Sequence, residues 1–136
     1  FPRHRIVMPI EWTQDLAVGI REIDLQHQEL IGIINELEHA QQEPAQTRAL
    51  EEVLPRLGSY VLFHFGTEEA LLGQLPGHPP HAEKHLREHQ LFAREVAALR
   101  ERQPSPAELA AFVDYLKRWI VKHIMKTDRE LATFLH

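Results

Sequence analysis

Ten of the 136 residues are histidine, and imidazole is a side chain well suited to metal ligation near neutral pH. Five of them, His27, His64, His85, His89 and His123, fall on the apolar stripes of helix-like patterns rather than on the polar faces. Two of the spacings are chelating ones. His85-x-x-x-His89 sets two imidazoles one helical turn apart, the geometry that grips a single ion. His64-x-x-x-Glu68 does the same with an imidazole and a carboxylate. His123 and Asp128 are different. Their five-residue separation is a rotation of about 500°, which leaves Asp128 roughly 140° around a regular helix from His123. The two converge only if the helix ends, bends or carries a π-bulge there; otherwise Asp128 is a solvated acid.

Burying five imidazoles and two carboxylates without partners would cost on the order of several kcal/mol. A bound cation offsets that cost. Seven inward donors exceed the shell of one ordinary ion and suit two ions bridged by carboxylates. The mixed imidazole and carboxylate set points to iron, with copper, zinc and manganese left open. Two ferrous ions facing two carboxylates and a bridging hydroxide leave about one net positive charge, small enough to bury.

Four helices must carry these donors. Of nine prolines, most punctuate a helical pattern. Pro2 and Pro9 lie in an N-terminal arm, residues 1–19, Pro44 in QQEPAQ, Pro76, Pro79 and Pro80 in LPGHPP, and Pro104 and Pro106 in QPSP. The breaks leave segments near 20–42, 46–75, 80–103 and 106–135, each long enough for a helix of about 30 Å. Their stripes are Ile20, Ile23, His27, Leu30, Ile34 and Leu37; Leu50, Leu54, Leu57, Val61, His64, Glu68, Leu71 and Leu75; His78, Ala82, His85, His89, Phe92, Val96 and Leu99; and Leu109, Phe112, Leu116, Trp119, Ile120 and His123. Ser105, Pro106 and Glu108 spell a capping box at the last start. Pro55 should kink the second segment or mark a break near Val53–Leu54. The expected fold is all-α, an up-down-up-down four-helix bundle with an N-terminal arm, in one domain spanning 1–136.

Composition excludes other classes. The absence of cysteine removes disulfides, thiolate metal sites and a cysteine nucleophile. A net charge of −5 argues against a broad nucleic-acid face. No run approaches the apolar length of a transmembrane helix, and the first residues lack a signal core, which points to a cytoplasmic protein without membrane partners. The chain opens on Phe1 rather than Met, compatible with a module cut from a longer protein that carries a signalling domain or partner.

His27 within IDLQH, His64 and Glu68 within HFGTEE, His85 and His89 within HLREHQLF, and His123 and Asp128 within WIVKHIMKTD resemble the hemerythrin pattern, from Trp12 to Leu131. That resemblance implies a four-helix bundle around two non-haem iron ions per chain with a bridging oxo or hydroxo group. It implies that His85, His89 and His123 ligate one iron, that His27 and His64 ligate the other, and that Glu68 and Asp128 bridge both. It further implies that O2 binds reversibly at the open two-histidine iron. Ile31 and Ile120, each one turn from a ligand histidine, are expected to line a dry O2 pocket, although plain core packing explains them too.

Other residues have two readings. Asp24 either orients His27 or serves as an acid at a helix N-terminus. His81 can compete with His89 as partner of His85. Glu69, His4, His39 and His136 are expected in solvent, Trp12 on the bundle end and Trp119 in the core. His85-Leu-Arg-Glu88-His89 also fits a zinc-protease motif. However, Glu88 lies off the apolar stripe, and one zinc would leave other inward donors idle. The function expected is O2 carriage, storage or sensing, against a di-iron redox enzyme or sensor acting on O2, peroxide or nitric oxide.

Overall fold

A computed structural model of the chain describes residues 10–74, 80–129 and 132. Within them the architecture is an all-α, up-down-up-down four-helix bundle entered by an N-terminal arm. The helices are α1 (Arg21–Gln41), α2 (Leu54–Gly73), α3 (Pro80–Arg102) and α4 (Pro106–Lys122). α1 packs on both α2 and α4, and α2 also packs on α3. Leu30, Ile34 and Leu37 of α1, Leu57 of α2, Leu99 of α3, and Leu109 and Leu116 of α4 are almost wholly buried and form much of the apolar core. Leu75, His78, His4 and His136 lie outside the described residues, as does the side chain of His81.

Two local departures from regular helix matter for the site. A π turn, Ala49–Val53, precedes α2, and Pro55 sits in the first turn of that helix. The break expected near Val53–Leu54 is therefore the point where the backbone ladder changes pitch, and there a residue without an N–H is tolerated. A second π segment, His123–Asp128, continues α4. Widening the turn adds one residue to it, and that changes where Asp128 points.

The ends are signed as the sequence suggests. Ser105 Oγ accepts from the Glu108 N–H at 3.2 Å, Glu108 accepts from the Ser105 N–H at 3.0 Å, and Pro106 takes the first turn. At the other end Gly19 adopts φ 89°, a conformation that favours glycine. The Asp24 carboxylate accepts from Val18 N–H at 2.8 Å and Gly19 N–H at 3.2 Å. Of its two readings, Asp24 organises the entry to α1 and makes no described bond to His27. Asn35 of α1 pins the arm: its amide exchanges two hydrogen bonds with the backbone of Ile10, at 2.8 and 2.9 Å. Trp12 lies half-buried against the core, as expected of a residue on the bundle end. The buried carboxylate of Glu38 on α1 meets Lys117 of α4 at 2.7 Å.

Candidate metal centre

The stripes converge where the four helices face one another. His27 comes from α1, His64 and Glu68 from α2, His85 and His89 from α3, and His123 and Asp128 from the π segment that ends α4. All seven are at least 98% buried. Their donor atoms fall into two groups, Glu68 with His85, His89 and His123, and His27 and His64 with Glu68 and Asp128, each gathered within 4.8 Å.

The carboxylates lie between the groups. Asp128 places Oδ2 2.8 Å from His27 Nε2, and Oδ1 3.2 Å from His85 Nε2 and 3.0 Å from His123 Nε2. Glu68 Oε1 lies 3.0 Å from His89 Nε2, 3.4 Å from His85 Nε2 and 3.5 Å from His64 Nε2. The π segment is what turns Asp128 inward.

Several of these atoms are close but not bonded. The Nε2 atoms of His27, His64, His89 and His123, Glu68 Oε2 and both Asp128 oxygens are buried and make no aligned hydrogen bond among the described residues. A buried cluster of so many orphaned donors and acceptors is costly unless something else satisfies them. Cations between the rings and carboxylates would do so. The donor set, five imidazoles and two carboxylates, fits divalent iron.

The outer nitrogens of three rings are tied down. His64 Nδ1 lies 2.8 Å from Gln26 Oε1, Gln26 Nε2 donates to Thr67 Oγ1 at 3.1 Å, and Thr67 donates to the Phe63 carbonyl at 3.2 Å. Each donor in that chain has one acceptor, so His64 carries its proton on Nδ1 and turns a lone pair inward on Nε2. His89 Nδ1 lies 3.0 Å from Glu69 Oε2, and His123 Nδ1 lies 3.5 Å from Glu88 Oε1, which also accepts from Thr127 Oγ1 at 3.0 Å. Carboxylates accept only, so these rings too donate outward from Nδ1 and turn Nε2 towards the site. Rings are also clamped by stacking: Phe65 on His89 at 3.8 Å, and Phe92 on Trp119 at 3.8 Å with Trp119 on His123 at 4.4 Å.

The charges follow from burial and neighbours. Burial pushes His64 down to about 4, so it is neutral at neutral pH. Burial opposes charge on His123 too, but Asp128, Glu68 and Glu88 outweigh it and hold it well above the usual imidazole value. Burial likewise works against ionised Asp128, yet His123, His27 and His85 keep it well below the ordinary carboxylate range.

Three residues have roles that sequence reasoning missed. Gln26 was not singled out at all. Glu69 was expected in solvent; 42% of its side chain is exposed, but its carboxylate is spent on His89. Glu88 stands behind His123, on the Nδ1 side, rather than beside the donor groups as the zinc-protease motif would need. No short spacing marks these three, because each reaches a ring on another helix. Their one signal was proximity in the chain to the clustered donors: Gln26, Glu69 and Glu88 each adjoin one. His39 is exposed and Ile31 and Ile120 are buried, all as expected.

Residues 18–135 match the family described as the hemerythrin HHE cation binding domain. The chain is 34% identical over 122 residues to a bacteriohemerythrin of Stenotrophomonas maltophilia, covering 89% of this chain and 78% of that one. It is 35% identical over 118 residues to a bacteriohemerythrin of Pseudomonas aeruginosa, covering 86% and 75%. A hemerythrin-like protein of Naegleria gruberi is 29% identical over 123 residues, covering 90% and 91%.

Proposed function

The chain belongs to the hemerythrin family, and from that premise we propose that it is a non-haem di-iron protein that binds O2 reversibly as a carrier, a store or a sensing domain. The observation that carries the reading is the pair of donor groups sharing Glu68, with Asp128 reaching histidines of both. In this reading His85, His89 and His123 would hold one iron and His27 and His64 the other, with Glu68 and Asp128 placed to serve both and an oxo or hydroxo group completing the pair. When bound, the iron pair supplies both the binding position for O2 and the electrons that reduce it.

The chain's own residues do the rest. The outward bonds of His64, His89 and His123 fix ring orientation before metal arrives, and that of His64 fixes its tautomer too. Among the described residues, Glu68 and Asp128 are the buried carboxylates that touch the rings from inside. Ile31 and Ile120 sit one turn along α1 and α4 from His27 and His123, and both are buried. With Phe65 and Trp119 they keep water, and thus proton delivery, away from the open position. Imidazole-rich ligation gives less charge to high-valent iron than the carboxylate-rich sets of other bundles, which favours reversible binding over further O–O cleavage. Among the described residues no helix is long and apolar enough to cross a membrane.

The test is iron content together with an optical titration. The protein is reduced anaerobically, exposed to O2, then stripped of gas while the visible charge-transfer band is followed. Two irons per chain and a band that comes and goes are expected. Two irons with an irreversible step to the ferric form would replace carriage with redox sensing or enzymatic turnover. Zinc, or one ion per chain, would overturn the seven-ligand assignment.

A further inference from the structure

The two donor groups are backed unequally. Behind the three-histidine group stand two carboxylates, Glu69 on His89 and Glu88 on His123. Behind the two-histidine group stands one neutral amide, Gln26 on His64, while His27 Nδ1 has no hydrogen-bond partner among the described residues. A carboxylate accepting from Nδ1–H draws the proton towards itself and makes Nε2 a stronger donor; an amide oxygen does so less. The aromatic clamps are unequal as well. Phe65 and Trp119 stack flat on His89 and His123, at interplanar angles of 7° and 12°, whereas His27 and His64 meet edge to face at 66°.

Resting on the two-metal reading above, we propose that Glu69 and Glu88 are positioning residues for one metal position only. They make the three-histidine position the tighter of the two, and Gln26 leaves the two-histidine position the weaker. Loading is then ordered: the three-histidine position fills first, and the two-histidine position is the one that exchanges.

Glutamine substitution isolates the charge. Glu69→Gln and Glu88→Gln keep an oxygen that can accept from Nδ1–H, as Gln26 does, and remove only the carboxylate. The probe is Co2+ added to the metal-free protein, followed by its d–d absorption and by calorimetry, with circular dichroism to confirm the helical fold. The unsubstituted chain should bind two Co2+ in two resolved steps. Either glutamine variant should weaken the tighter step by about 10-fold, the lower end of what losing such a partner outright costs, and leave the weaker step unchanged. Gln26→Glu should do the converse, tightening the weaker step and bringing the two together. In a His64→Ala background, which leaves the three-histidine group intact, one Co2+ should remain and Glu88→Gln should still weaken it.

Two Co2+ bound with equal affinity, or glutamine variants that weaken both steps alike or neither, would overturn this inference and leave the two-metal reading standing. Fewer than two Co2+ on the unsubstituted chain would overturn both.

Discussion

Asp128 Oδ2 lies 2.8 Å from His27 Nε2, although the two residues come from opposite ends of the chain and Asp128 would face away from the site on a regular helix. The π segment His123–Asp128 makes the contact, and the carboxylate sits between rings of both donor groups. Asp128→Ala removes one of two buried negative charges that would face two dications. Iron per chain should fall clearly below two, read by a colorimetric iron assay on protein reconstituted with ferrous iron. Retention of two tightly held irons would show that Asp128 is not a bridging ligand.

His64 offers the sharpest test of the two-histidine position. His64→Ala should lower iron towards one per chain and abolish the reversible optical response to O2. Two firmly bound irons with intact O2 binding in this variant would defeat the assignment.

Ile31 is buried one turn from His27. Ile31→Thr exchanges an ethyl group for a hydroxyl and so puts a polar group beside the proposed O2 position. A buried hydroxyl without a partner should lower stability by about 1–3 kcal/mol. The informative readout is the rate at which O2-exposed protein passes irreversibly to the ferric form, which should rise as water and protons gain a foothold. An unchanged rate would return Ile31 to plain core packing.

The capping box at Ser105 concerns stability alone. Ser105→Ala should cost about 1 kcal/mol, or roughly 4 °C in melting temperature. Its partner adds a pH dependence of definite sign. The backbone N–H of Ser105, with its hydroxyl, holds the exposed Glu108 carboxyl below its ordinary value. A lowered carboxylate stabilises the fold above the unfolded-state value and loses that effect as pH falls through the folded one. The difference between the natural chain and Glu108→Gln should therefore be present near neutral pH and vanish in acid. A difference that grew on acidification would contradict the sign.

Much of this was legible before any coordinates, and for a physical reason. The inward histidines of α1, α2 and α3 share stripes with Ile23, Leu57 and Phe92, so the period that buries the core also aims the imidazoles. Proline placed the breaks, and Ser105 with Glu108 spelled the start of α4. Asp128 was legible only conditionally, because five-residue spacing needs a π segment that no residue type announces. Gln26, Glu69 and Glu88 were not legible as ring partners. They contact rings on neighbouring helices, so their roles depend on how helices pack rather than on the period of any one. Asp24 shows how the sequence left a choice open: it read either as a partner of His27 or as an acid at a helix N-terminus, and its carboxylate accepts from Val18 and Gly19 at the start of α1.

The stack of Trp119 on His123 makes the chain its own gauge of loading. An indole held flat against a ring that would ligate iron is a fluorophore beside a quencher. Emission from Trp119 should fall from its level in stripped protein once the three-histidine position fills. Trp12, packed on the opposite part of the sequence in the arm, should respond less. Fluorescence at tryptophan wavelengths would then follow iron entering or leaving the bundle in real time in purified samples, without any added dye.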